Sequence, residues 1–111
     1  MTIETILSNP QFTLVTSKNR IEQKINGLYA CDLLSFVMGR AQKGDLLLTI
    51  LTHPNVLAVA VLLELPCVVL TSGVNPKEEM IKKAEEEEIA LIVTGLDTAR
   101  AVRELYETLS L

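Results

Sequence analysis

His53 is the sole histidine of the chain, and it stands in Thr52-His53-Pro54-Asn55, just after an apolar run. As a general base it needs a carboxylate to orient its ring, and Asp97 is a candidate on a neighbouring loop. No nucleophile accompanies the pair, so a loop histidine that hydrogen-bonds locally and helps start a helix is the plainer reading. The other residues placed for chemistry are small: Asp32 and Ser35, Thr52 and Asn55, Ser72 and Gly73, Thr94, Asp97 and Thr98. Singly, Ser35, Thr52, Ser72, Thr94 and Thr98 each serve as a cap or turn residue for orphan backbone amides. Gathered on one edge, their loops suit a small anionic ligand.

Other motifs fail on inspection. Gly39-Arg40-Ala41-Gln42-Lys43-Gly44 has the glycine spacing of a phosphate-binding P-loop. Asp45 and Leu46 then stand where lysine and Ser/Thr are required, and the segment leads from a helix into a strand. No Gly-x-Gly-x-x-Gly follows a strand. One histidine and no Cys-x-x-Cys leave no metal-ligand spacing, and no cofactor is expected. The run Glu85 to Glu88, with Lys82 and Lys83 one turn back, reads as a solvated, paired helix face.

What positions the small residues is a repeat of apolar strand, polar loop and helix. Strand 46–51 leads to helix 54–64, strand 66–70 to helix 76–88, and strand 89–93 to helix 98–109. Asn75, Pro76 and Glu78 read as N-cap, first helical residue and capping-box partner. Upstream, residues 2–8 form a short amphipathic helix ended by Asn9-Pro10, and residues 11–16 alternate as a strand. A weak edge strand is expected through Ile21 and Ile25, and a short strand over 28–31. Asp32 then caps a helix to about Ala41, with Leu33, Leu34, Val37 and Met38 inward and Lys43-Gly44 closing it. The alternation predicts an α/β domain spanning 1–111: a three-layer sandwich with a mainly parallel sheet flanked by helices. Such sheets bind ligands beyond the C-terminal ends of their strands.

The composition narrows the classes. The chain has 111 residues, 49% of them hydrophobic, and a net charge of −4. Scattered Lys and Arg with few aromatics argue against nucleic acid as a partner. Cys31 and Cys67 read as buried free thiols, and with no signal peptide a cytoplasmic, reduced setting is expected. The apolar run Val56 to Leu63 is too short to span a bilayer, so no membrane partner is expected. It has no polar face, so either the chain wraps it or a second subunit covers it. A homodimer through helix 56–63 is the favoured expectation.

The segment Tyr29-Ala30-Cys31-Asp32-Leu33-Leu34-Ser35-Phe36-Val37-Met38 resembles the start of the DRTGG domain in its small stand-alone form. So do Thr52-His53-Pro54-Asn55 with its apolar helix, Leu70-Thr71-Ser72-Gly73, and Glu88-Ile89-Ala90 through Thr94. The resemblance is strongest over residues 28–98. Domains of this family accompany CBS pairs in regulatory pyrophosphatases and precede the catalytic part of some phosphotransacetylases. They are similar to the N-terminal domain of HPr kinase/phosphorylase, whose P-loop lies in a separate domain. The resemblance implies an α/β fold, self-association and a regulatory or ligand-sensing role, with no catalytic set. Thr71-Ser72-Gly73 matches the Thr-Gly-Gly of the namesake motif with one change, while His53-Pro54 occupies the neighbourhood of its Asp-Arg. The expectation is therefore a non-catalytic regulatory domain that senses a nucleotide or phosphorylated metabolite, or docks a partner protein. The alternatives are a dimerisation or scaffold module without ligand, and a small enzyme using His53 and Asp97.

Overall fold

Alternation along the strands divides the interior into two cores. In the computed structural model, which describes residues 1–111, Leu46 and Leu48 pack with Cys67, Val69, Ala90 and Ile92 against Ile3 and Ile6, and against Ala101, Leu105 and Leu109. Leu47 packs oppositely, with Val68, Leu70 and Leu91 against Val37, Val56, Met80 and Ala84. A sheet buried on both faces needs continuous apolar strands, which is why these segments do not alternate polar and apolar.

The elements run α1 (Ile3–Leu7), β1 (Thr13–Leu14), β2 (Gly27–Ala30), α2 (Leu34–Arg40), β3 (Asp45–Thr49), α3 (Asn55–Leu63), β4 (Cys67–Leu70), α4 (Glu78–Glu86), β5 (Ala90–Val93) and α5 (Thr98–Leu109). The sheet order is β1-β5-β4-β3-β2. Strands β2 to β5 are parallel, in registers such as Leu28↔Leu46, Leu46↔Cys67 and Cys67↔Ala90. β1 pairs antiparallel with β5, Thr13 facing Val93, and covers that edge. The architecture is thus α/β, with a five-stranded, mostly parallel sheet and flanking helices.

Several expectations change. Residues 21–25 make no strand of their own; the only ladder contact is an isolated bridge, Thr2↔Lys24. Their carbonyls are drawn to α1, where the Ile3 N–H donates to Gln23 O at 3.1 Å and the Glu4 N–H to Ile21 O at 2.8 Å. These are orphan donors of a helix start, and they outbid a sheet edge. Helix α2 is shorter than expected and buries only Val37 fully, while Leu33 and Met38 are exposed. It lies over the β2 end of the sheet beside α3, so one column of side chains suffices to seat it. Its N-cap is Leu33, with no side-chain cap bond, and it ends at an extended Ala41. Gly44, in the left-handed region at φ +85°, turns the chain into β3 rather than closing the helix. Helix α4 starts after an extended Lys77 rather than at Asn75, with no side-chain cap bond. Val74 and Asn75 instead line a surface cavity.

Helix α3 is not buried on all sides by its own chain. Val56, Leu57, Val59 and Ala60 face the core, whereas Val61 and Leu62 are 44% and 65% exposed. Cys67 is fully buried, which pushes its thiol pKa far up, but Cys31 is only half-buried. The acidic run is paired: Glu87 with Lys83, Glu88 with Arg20, and Glu85 with the Ser17 N–H.

Candidate functional site

Parallel strands carry all their strand-to-helix loops to one edge, and the structure places every candidate residue there or in the first turn of a following helix. The residues form two linked groups. On the β2–β3 side, Asp32 does not cap α2. Its Oδ1 accepts from Thr49 Oγ1 at 2.8 Å and from the Ile50 N–H at 3.0 Å, tying the two loops together. Ser35 is exposed on α2, and its hydroxyl makes no hydrogen bond within the chain. Asp32 and Ser35 stand roughly 14 Å from the end of β5, at about 4.8 Å per strand spacing. They share the edge with the β5 loop but not its immediate surroundings.

Next along the edge, His53 Nδ1 accepts from the Asn55 N–H at 3.1 Å and so helps start α3. That role puts the neutral ring's proton on Nε2. His53 pairs with no carboxylate, and Asp97 is engaged by Arg100, so the arrangement of the enzyme alternative does not form.

The second group lies between β4 and β5. Helix α4 packs on the face of Leu47 and α5 on the face of Leu46. The loops after these adjacent strands therefore depart to opposite faces, and a crevice opens where they part. Main-chain bonds lace its floor: the Ser72 N–H donates to Leu96 O at 2.6 Å and the Gly73 N–H to Thr94 O at 3.0 Å. Thr71 and Thr98 join their hydroxyls at 2.7 Å, and Thr94 Oγ1 accepts from the Leu96 N–H at 3.2 Å. The amides of Ser72 and Gly73 are thereby spent on structure. Those of Thr52, His53, Asn75, Gly95 and Asp97 find no acceptor within the chain. Ser72, exposed and left-handed at φ +63°, sits at the rim.

Asp97 is the N-cap of α5, its Oδ1 accepting from the Arg100 N–H at 2.9 Å. That backbone bond chiefly, with the Arg100 guanidinium adding, holds the carboxyl below its ordinary value of 3.8. A depressed pKa contributes stability that is present above the unfolded value and lost as pH falls through the folded one. Thermal unfolding scans from pH 7 to pH 2.5 are expected to show wild type ahead of Asp97→Asn at neutral pH. The gap should close below the ordinary value; a gap independent of pH would contradict the assignment.

Two cavities flank the sheet ends. One, of about 170 Å³, opens at the C-terminal edge among Gln11, Thr13, Gly73, Asn75, Thr94 and Gly95, with Val74 and Val93. A larger one, of about 280 Å³, lies at the opposite edge among Arg20, Glu64, Glu87 and Glu88. Its charged groups are largely satisfied by one another and by neighbouring lysines, as in Arg20–Glu88 at 2.9 Å and Lys43–Glu64 at 3.6 Å. The smaller cavity coincides with the free amides of Asn75 and Gly95. Sequence reading missed Gln11, Thr13, Asn75 and Gly95 as lining residues here, and the only signal for them was their nearness to strand ends.

The model of a family described as HPr Serine kinase N terminus matches residues 55–109. Over those residues the chain is similar to that family, which is of DRTGG type. The match holds Thr94, Asp97, Ser72 and Gly73 but starts after the Tyr29–Met38 segment. Across 96% of the chain the fold is similar, with a TM-score of 0.72 and 18% identity, to a crystal structure from Clostridium perfringens. That structure holds the CBS and DRTGG domains of the regulatory region of a pyrophosphatase, complexed with its activator, diadenosine tetraphosphate. This chain spans 46% of that one, about half its length. No helix is long and apolar enough to cross a membrane.

Proposed function

We propose that this is a non-catalytic regulatory domain, cytoplasmic, that binds a small anionic ligand at the C-terminal edge of its sheet. The ligand class is a nucleotide or phosphorylated metabolite. The observation that carries the reading is the set of unpartnered N–H groups at Thr52, His53, Asn75, Gly95 and Asp97, beside the crevice between β4 and β5. Such donors favour anions, and the first turns of α3 and α5 add their dipoles. The reading treats the domain as three layers, with α1 and α5 on one side of the sheet and α2 to α4 on the other. The similar pyrophosphatase region is complexed with a dinucleotide activator, which supports the ligand class. Thr52, Asn55, Ser72, Gly73, Thr94, Asp97 and Thr98 surround the ligand, with His53 at its border and Asp32 and Ser35 further out.

A thermal-shift screen with diadenosine tetraphosphate, ATP, ADP and inorganic phosphate tests this. A ligand at one hundred times its Kd adds about 2.7 kcal/mol to the folded state. A rise of several degrees with at least one of them is expected; no rise with any of them contradicts the reading.

The outer face of α2 and α3 favours self-association as a second property. Leu33, Phe36, Met38, Ile50, Val61 and Leu62 are each between 42% and 65% exposed. The neighbouring edge strand, Gly27-Leu28-Tyr29-Ala30, carries none of the charges that usually guard an open edge. Half-exposed side chains of this number leave on the order of 500 Å² of apolar surface, most of the core of a standard interface of about 800 Å² per partner. We propose a second copy of the chain as the occupant, in a two-fold contact of on the order of 1,200 Å² or more in total. This moves the interface from α3 alone to α3 with α2. Sedimentation at micromolar concentration is expected to give a dimer that Leu62→Asp dissociates; a wild-type monomer contradicts it.

A further inference from the structure

We infer that the cavity of about 170 Å³ at the C-terminal edge takes a neutral, planar, nitrogen-bearing ring: the base of a nucleotide whose phosphates lie on the adjoining amides. The inference rests on the anion reading above and adds to it what the rest of the ligand is.

The cavity's chemistry differs from its surroundings. None of the residues lining it is ionisable, although 22% of the chain is charged. Charge is absent from the one concavity that borders the free amides. A phosphate gains little from such a lining, whereas an uncharged heterocycle loses little on entering it. The size fits, because about 150 Å³ is enough for a single aromatic ring. The polar groups are those that read a base edge. The Asn75 carboxamide and the Thr13 hydroxyl make no hydrogen bond within the chain. Gln11 donates its Nε2 to Glu104 at 2.5 Å, which leaves its carbonyl oxygen free to accept. A carboxamide offers donor and acceptor side by side, the pattern that pairs with adenine-type edges. Val74 and Val93 supply apolar contact for a ring face.

Gly95 supplies a separate argument. Its backbone does not lie in the left-handed region, and a Cβ there would meet no atom within 4 Å. Neither conformation nor packing within the domain calls for glycine. A bare backbone at the lip leaves room for a group from outside, and its free N–H lies next to the crevice. Asn75 and Gly95 thus belong both to the cavity and to the anion-binding edge, which sets base and phosphate side by side.

The test compares ATP, adenosine and inorganic tripolyphosphate by calorimetric titration on wild type, Gly95→Val and Asn75→Leu. The Cβ of Gly95→Val enters open space, and the variant's melting temperature checks that it folds. The expected result is that wild type binds ATP at least tenfold more tightly than tripolyphosphate. Gly95→Val should abolish that advantage, so that ATP and tripolyphosphate bind it alike, and Asn75→Leu should reduce it. Equal affinity of wild type for ATP and tripolyphosphate, or an advantage that survives Gly95→Val, overturns the inference but leaves the anion reading standing. Binding of none of the three overturns both.

Discussion

Ser72→Glu is expected to weaken ATP binding at least thirtyfold at low salt while leaving the unfolding midpoint almost unmoved. Ser72 is exposed at the rim of the crevice between β4 and β5, and its hydroxyl makes no bond within the chain. Its structural contribution is its backbone: the N–H donates to Leu96 O at 2.6 Å, and φ is +63°. Glutamate keeps the N–H and is no more strained there than serine. What it adds is a negative charge facing the proposed anion. At an effective dielectric near 20, two unit charges about 8 Å apart repel by roughly 2 kcal/mol, close to a thirtyfold change in affinity. Salt should erode the effect, since the site is open to solvent. Ser72→Ala serves as the control and should bind like wild type. Unchanged affinity in Ser72→Glu would place the ligand away from this crevice.

Leu47→Ala is expected to cost about 2–5 kcal/mol, a large part of the stability of a domain this size. β3 is flanked by β2 and β4, and all its residues are buried. Leu47 is fully buried in the core shared with Val37, Val56, Met80 and Leu91. Three helices rest on that side, so the surroundings cannot collapse into the void. Urea unfolding should show a lower midpoint with an unchanged slope. Leu111→Ala is the contrast: the same chemical change on a residue 40% exposed, away from the proposed dimer contact, should move stability by no more than about 0.5 kcal/mol. A small loss at Leu47 would mean that the sheet is not the rigid centre that holds the loops.

Legibility in the sequence followed the range of the interactions involved. β3, β4 and β5 were readable because strands buried on both faces are continuous apolar runs bounded by polar loops. Helix α5 was readable at both ends because its apolar spacing is local, Ala101, Leu105 and Leu109 recurring every four residues on the buried face. What failed depended on distant partners. Asp32 looked like a cap, but its carboxylate is taken by Thr49 and Ile50, far along the chain. Ile21 and Ile25 suggested a weak edge strand, yet the Ile21 and Gln23 carbonyls answer the start of α1. The two-residue β1 is too short for periodicity to reveal that it runs antiparallel. For α2, the positions of Leu33 and Met38 gave no sign that the β2 end of the sheet leaves them uncovered. The candidate edge followed from strand polarity alone. Its internal wiring did not: Thr71 and Thr98 meet across 27 residues, and nothing local marks the Ser72 and Gly73 amides as already spent.

The central claim is that an anionic ligand sits at the C-terminal edge of the sheet. Amide chemical-shift mapping during titration with ATP tests it most directly. The account predicts the largest shifts at Thr52, His53, Asn75, Gly95 and Asp97, with smaller ones at Ser72 and Gly73. Shifts confined to the opposite edge, around Gly44, Pro66 and the cavity of Arg20 and Glu88, would contradict it.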